Sequence, residues 1–123
     1  MNLGSVILDT GAALNLCGLL GEPNDHVTIR QPLAAEAVLV QILDWAMVRH
    51  EGDVAAAQFS VFDVTRFISR WLPTADVADL TLSFLGGLEV AQAATIASAV
   101  KFGLPIVTLA NLAVPPGVTV VRL

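Results

Sequence analysis

Asp9 closes an apolar run, Ser5-Val-Ile-Leu8, and is followed at once by Thr10-Gly-Ala-Ala-Leu14. A buried strand that delivers a carboxylate at its C-terminal tip, just before a helix, is a common way for an α/β protein to build a site. Glu36 sits among Ala, Val and Leu in Pro32-Leu-Ala-Ala-Glu36-Ala-Val-Leu39, which suits either a site residue or a salt-bridge partner. Carboxylates that meet in one place bind a divalent cation, because hard cations take oxygen ligands. Taken by itself, Asp9 also fits a simple cap for the helix that follows. The remaining acids look structural: Asp44, Glu51 and Asp53 as solvated helix-end charges, Asp63, Asp76 and Asp79 as caps or surface groups. His26 and His50 lie beside turns and read as surface residues, not a catalytic pair. No Gly-x-Gly-x-x-Gly follows the first strand, which argues against a dinucleotide site.

The elements that must position these groups alternate between strand and helix. Residues 3–9 predict a buried strand and residues 11–21 a short helix closed by Gly18 or Gly21. Glu22-Pro-Asn-Asp25 predicts a turn, and His26 to Arg30 a short alternating strand. Pro32 is expected near the start of a helix running to about His50, with Gly52 as its stop. Val54 to Trp71 is expected to be mostly helical, with Phe59, Phe62, Phe67 and Trp71 in its apolar set and Pro73 ending it. Most of that set is expected in the core, part of it in a partner groove. Thr74 is expected to cap a helix stopping at Gly86-Gly87, and residues 88–102 an Ala-rich helix ended by Gly103. Leu104 to Leu109 and Val118 to Val121 predict the last strands, separated by a Pro115-Pro116-Gly117 turn. Strands separated by helices imply a parallel sheet. No internal repeat or second domain is evident, so residues 1–123 are expected to form one domain.

Composition narrows the partners. The chain is 55% hydrophobic and 14% charged, more apolar than a solitary domain needs, and the surplus points to a homodimer or another protein surface. A net charge of −5, with the six basic residues scattered, opposes a broad grip on nucleic acid and suits a basic protein partner. The single Cys17 allows no internal disulfide and reads as a packed thiol in a reducing compartment, so a cytoplasmic location is expected. The first residues lack a charged n-region, and polar residues interrupt every apolar stretch, so neither a signal peptide nor a membrane span is expected.

Taken in order, the motifs resemble a PIN domain. Val6-Ile-Leu-Asp9-Thr10-Gly-Ala-Ala-Leu14 is similar to that family's opening strand, acid and helix. Pro32-Leu-Ala-Ala-Glu36-Ala-Val-Leu39 is similar to its second motif. Gly87-Leu-Glu89-Val-Ala-Gln92 through Thr95 and Gly103 to Val107-Thr108 resembles its third stretch, and Gly117-Val-Thr-Val-Val121 its last strand. The resemblance implies a three-layer α/β/α domain around a central parallel sheet. It implies a Mg²⁺- or Mn²⁺-dependent endoribonuclease of the VapC kind, the toxin of a toxin–antitoxin pair, in which three or four carboxylates hold metal that activates water for attack on RNA phosphate. Carried over by position, Asp9 and Glu36 are the catalytic, metal-holding acids, and Thr10 is the hydroxyl beside the first. The third acid position holds Gln92, and the fourth, expected about two residues after Thr108, falls at Ala110 or Asn111. Glu89, one helical turn before Gln92, is a substitute ligand or a solvated helix-start charge. Thr10, Glu89, Gln92, Thr108 and Asn111 are therefore expected to line the pocket.

Two functions follow from the resemblance and its departures. One is an endoribonuclease toxin with a partly eroded site, weak metal binding, an RNA substrate and a basic antitoxin-like partner. The other is a non-catalytic PIN-like module kept for dimerisation or partner binding.

Overall fold

The computed structural model describes all 123 residues. Five strands and five helices follow one another as β1 (Asn2–Leu8), α1 (Thr10–Leu16), β2 (Thr28–Ala35), α2 (Glu36–Arg49), α3 (Val54–Phe67), β3 (Arg70–Leu72), α4 (Ala78–Ser83), α5 (Val90–Phe102), β4 (Ile106–Thr108) and β5 (Val120–Arg122), with a 3₁₀ turn at Thr74–Val77. The strands form one sheet in the order β3-β2-β1-β4-β5, every pair parallel. The fold is the expected three-layer α/β/α arrangement.

Side-chain alternation builds the layers. Successive strand residues point to opposite faces, so Val6, Leu8, Ala34 and Val107 pack into one core with Ala12 and Leu14 of α1, Val38 and Ile42 of α2 and Val64 of α3. Ile7, Leu33, Leu72 and Ile106 pack on the other face with Ile96 and Ala99 of α5. Helix α5 is buried from Ala93 to Ala99, and its Thr95 and Ser98 hydroxyls donate to the carbonyls of Ala91 and Ala94 one turn back, at 2.8 and 2.7 Å. It ends where Gly103 turns left-handed, at φ 64°, a conformation glycine adopts without a Cβ penalty. No helix is long and apolar enough to cross a membrane.

Strand order reverses between β1 and β4, the pair at the sheet centre. Chain crossings diverge there, leaving a crevice at the C-terminal strand ends where α/β proteins build sites. Asp9 and Thr108 sit at that one edge, with Leu8 in register with Val107.

Three local expectations are corrected. Pro32 lies inside β2, not at a helix start; α2 begins at Glu36. In a parallel ladder a residue's N and O face the same neighbour. The Pro32 carbonyl accepts from Ser69 N–H at 2.8 Å on the β3 side, and β3 starts only at Arg70, so the missing proline N–H leaves no ladder bond unmade. Helix α3 stops at Phe67 because Ile68 turns extended, and Arg70–Leu72 continues as an edge strand rather than helix. Thr74 caps nothing with its side chain; a 3₁₀ turn and a six-residue α4 replace the single helix expected there. The β4-to-β5 link, residues 109–119, crosses without a helix and packs Leu112, Val114 and Val118 on the Ile7–Ile106 core.

Phe59 and Phe62, expected mostly in the core, are exposed instead, and Phe67 and Trp71 are half-buried. Asp53 caps α3 through Ala56 N–H at 3.2 Å. The half-buried Cys17 thiol is pushed up to about 11, by burial first and by nearby Asp63 second, which makes it a poor nucleophile. His50 departs from the surface expectation: it is half-buried and its Nε2 lies 2.9 Å from Ser60 Oγ, tying the end of α2 to α3.

Candidate functional site

The crevice at the sheet edge is a cavity of about 390 Å³ whose polar lining is Asp9, Thr10, Gln41, Glu89 and Gln92. Trp45, Leu14, Leu20 and Leu109 supply the apolar wall, and Ala110 completes the rim. The strand β1 delivers Asp9, which is 8% exposed, and α1 starts at the next residue. Asp9 caps that helix: one carboxylate oxygen accepts from Ala12 N–H at 2.9 Å. The other accepts the Thr108 hydroxyl, and Thr108 Oγ in turn accepts from Ala110 N–H at 3.0 Å. Asp9 therefore serves as the helix cap and also lines the cavity.

Burial raises the Asp9 carboxyl above its ordinary value of 3.8, and the hydrogen bonds from Thr108 and Ala12 only partly oppose it. Water is lost to the ionised form faster than two donors restore it. The folded protein thus holds the Asp9 proton more tightly than the unfolded chain does. The stability this gives is fully present below pH 3.8 and is lost as pH rises through the raised folded value. An amide in place of the carboxyl cannot ionise. The Asp9→Asn variant should gain on the wild type in melting temperature between about pH 4 and neutrality. Parallel melting-temperature profiles for the two proteins across that range would contradict this.

A second chain of polar contacts closes the side of the cavity. The Thr10 hydroxyl donates to the Gln41 side-chain carbonyl, and the Gln41 amide donates to Glu89. Gln41 therefore pins the starts of α1 and α5 to α2. It is the main residue that sequence reasoning missed; its signal was a lone amide in the apolar run Val38-Leu-Val-Gln41-Ile-Leu43. Trp45, one turn further on, shares the cavity wall and carries the Arg49 guanidinium over its ring at 5.4 Å.

The expected site residues divide. Asp9, Thr10, Glu89 and Gln92 line the same cavity, and Thr108 stands directly behind Asp9. Ala110, one of the two candidate positions for the fourth acid, lines it too. Glu36 does not. It is exposed at the first position of α2, accepts Thr74 N–H at 2.6 Å, and lines the neighbouring cleft with Asp44 and Glu89. Asn111 is also exposed and accepts from Arg122 at 2.6 Å, which ties it to β5.

No group of three or more His, Cys, Asp or Glu side chains converges anywhere in the molecule. Asp9 and Glu89 are the only carboxylates in the cavity, beside the neutral oxygens of Thr10, Gln41 and Gln92. A hard dication takes much of its affinity from carboxylate charge. The donor set does not fit a tightly held Mg²⁺ or Mn²⁺.

No protein-family model matches the chain, and no curated protein matches it.

Proposed function

We propose that the chain is a cytoplasmic PIN-like domain of the toxin–antitoxin kind, descended from a Mg²⁺-dependent endoribonuclease, whose eroded acidic pocket now serves an interaction role. One observation carries this reading. Of the positions where the resemblance expects acids, 9, 92 and 110 line one cavity at the strand-order reversal and only the first of these three holds an acid, while Glu36 lies in the neighbouring cleft. The parallel α/β/α scaffold supports this reading of the fold, and the shortage of acids in the cavity weighs against the family's chemistry. The net charge of −5 suits a basic, antitoxin-like protein better than RNA. The cleft bordered by Glu36, Asp44 and Glu89 is the natural surface for such a partner. The apolar surplus also supports self-association.

An active endoribonuclease is the second reading. It is favoured by Glu89, which joins Asp9 in the cavity and would stand in for the missing third acid. An RNA-cleavage assay with Mg²⁺ or Mn²⁺ separates the two. The wild type and Asp9→Asn should both stay at the background rate. Efficient metal-dependent cleavage that Asp9→Asn abolishes would overturn the interaction reading in favour of the enzyme.

A further inference from the structure

The Asp9 cavity and the Glu36–Asp44 cleft are neighbours, and Gln41, Glu89 and Ala91 line both. Two of those three bond to each other: the Gln41 amide nitrogen donates to the Glu89 carboxylate, while the amide oxygen accepts the Thr10 hydroxyl. Ala91 contributes only a methyl group, so the two longer side chains form the partition. We propose that Thr10, Gln41 and Glu89 are a latch that closes the cavity off from the cleft, and that a cation pairing with Glu89 from the cleft releases it.

The chemistry of the three groups makes the contact directional. An ionised carboxylate only accepts hydrogen bonds, so the amide nitrogen must face Glu89 and the amide oxygen must face Thr10. Each bond sets the other, and drawing Glu89 away frees the amide to turn. Nothing else holds the Glu89 side chain. It precedes α5 without capping that helix, and it is exposed to the cleft. No basic side chain lines either hollow, so its partner is a neutral amide. A cation entering the cleft offers Coulomb attraction that the amide lacks, and Glu36 and Asp44 beside Glu89 draw it there. Glu89 thereby couples occupancy of the cleft to access to the cavity. The release step rests on the reading of the cleft as the surface for a basic partner; the latch itself does not.

Trp45 lies one turn beyond Gln41 on α2 and lines the cavity but not the cleft, so its exposure reports the closure. Acrylamide quenching of its fluorescence, in a Trp71→Phe parent that removes the other tryptophan, tests the proposal. Gln41→Glu keeps the shape and the bond from Thr10 but sets two carboxylates against each other; quenching should rise above the parent value. Gln41→Met, which keeps the length and loses both bonds, should raise it too. Adding Glu89→Gln to Gln41→Glu restores the pair with donor and acceptor exchanged, and quenching should return to the parent value with unchanged circular dichroism. Spermidine should raise quenching in the parent and leave Glu89→Gln alone unmoved, because that variant keeps the bond but has no charge to pair. Quenching untouched by Gln41→Glu and Gln41→Met, or not restored by the exchanged pair, overturns the latch. A parent indifferent to spermidine overturns its release by a cation. None of these results bears on RNA cleavage, which the Asp9→Asn assay reads separately.

Discussion

Adding two acids to the cavity should strengthen metal binding there. The Gln92→Asp, Ala110→Asp double variant places two carboxylates on the lining that already carries Asp9 and Glu89. Each new charge strengthens attraction for a dication in a half-enclosed space. Ligand charge count moves the affinity of oxygen-ligand sites by decades, so Mg²⁺ should bind on the order of a hundredfold more tightly than to the wild type. Without metal the crowded acids repel, and the variant should melt below the wild type. Added Mg²⁺ should raise its melting temperature by binding only the folded state. Ala110 is exposed and Gln92 half-buried, so both positions accept the new side chains without repacking the core. Calorimetry with Mg²⁺ checks the affinity. An unchanged affinity would mean that positions 92 and 110 are not the family's acid positions.

The largest loss of stability should come from the sheet centre. Ile106 is fully buried, in register with Ile7 of β1 and Val120 of β5, and packed with Ile96 and Leu33. Ile106→Ala removes three carbons that rigid strands on both sides cannot close over. Such deletions cost about 2–5 kcal/mol, a large share of the ~5–15 kcal/mol by which a domain is stable. Ile106→Val, which leaves a smaller void, should cost about 0.5–1.5 kcal/mol. Urea unfolding should show the midpoint fall with an unchanged slope. Equal, small losses for the two variants would mean that β4 is not clamped between β1 and β5.

The central strands were legible because their signals are local and strong. Val6-Ile-Leu8 and Ile106-Val107 are apolar on both faces and end abruptly in Asp9 and Thr108, so their burial and their shared edge followed from the sequence. Pro32 was harder. The preference of proline for helix starts competes with its tolerance in a strand whose neighbour has not yet begun, and only the sheet decides between them. Arg70–Leu72 is three residues long, too short to show a period. Glu36 and Gln41 illustrate what local pattern cannot supply. Five residues along a helix turn the direction by about 140°. Their order alone did not say which of them faces α1 and α5. Packing gives that face to Gln41 and leaves Glu36 to bind Thr74.

Two carboxylates, not three or four, line the cavity at the strand-order reversal. Paramagnetic broadening by Mn²⁺ reads that directly, because it reports both the place and the strength of binding. In a titration of the wild type, resonances of residues 9–12, 89–92 and 108–110 should broaden first but saturate only at high Mn²⁺, and Asp9→Asn should weaken even this response. Saturation at one equivalent of Mn²⁺ would contradict an eroded site, and broadening centred on Glu36 instead of Asp9 would contradict the cavity assigned to it.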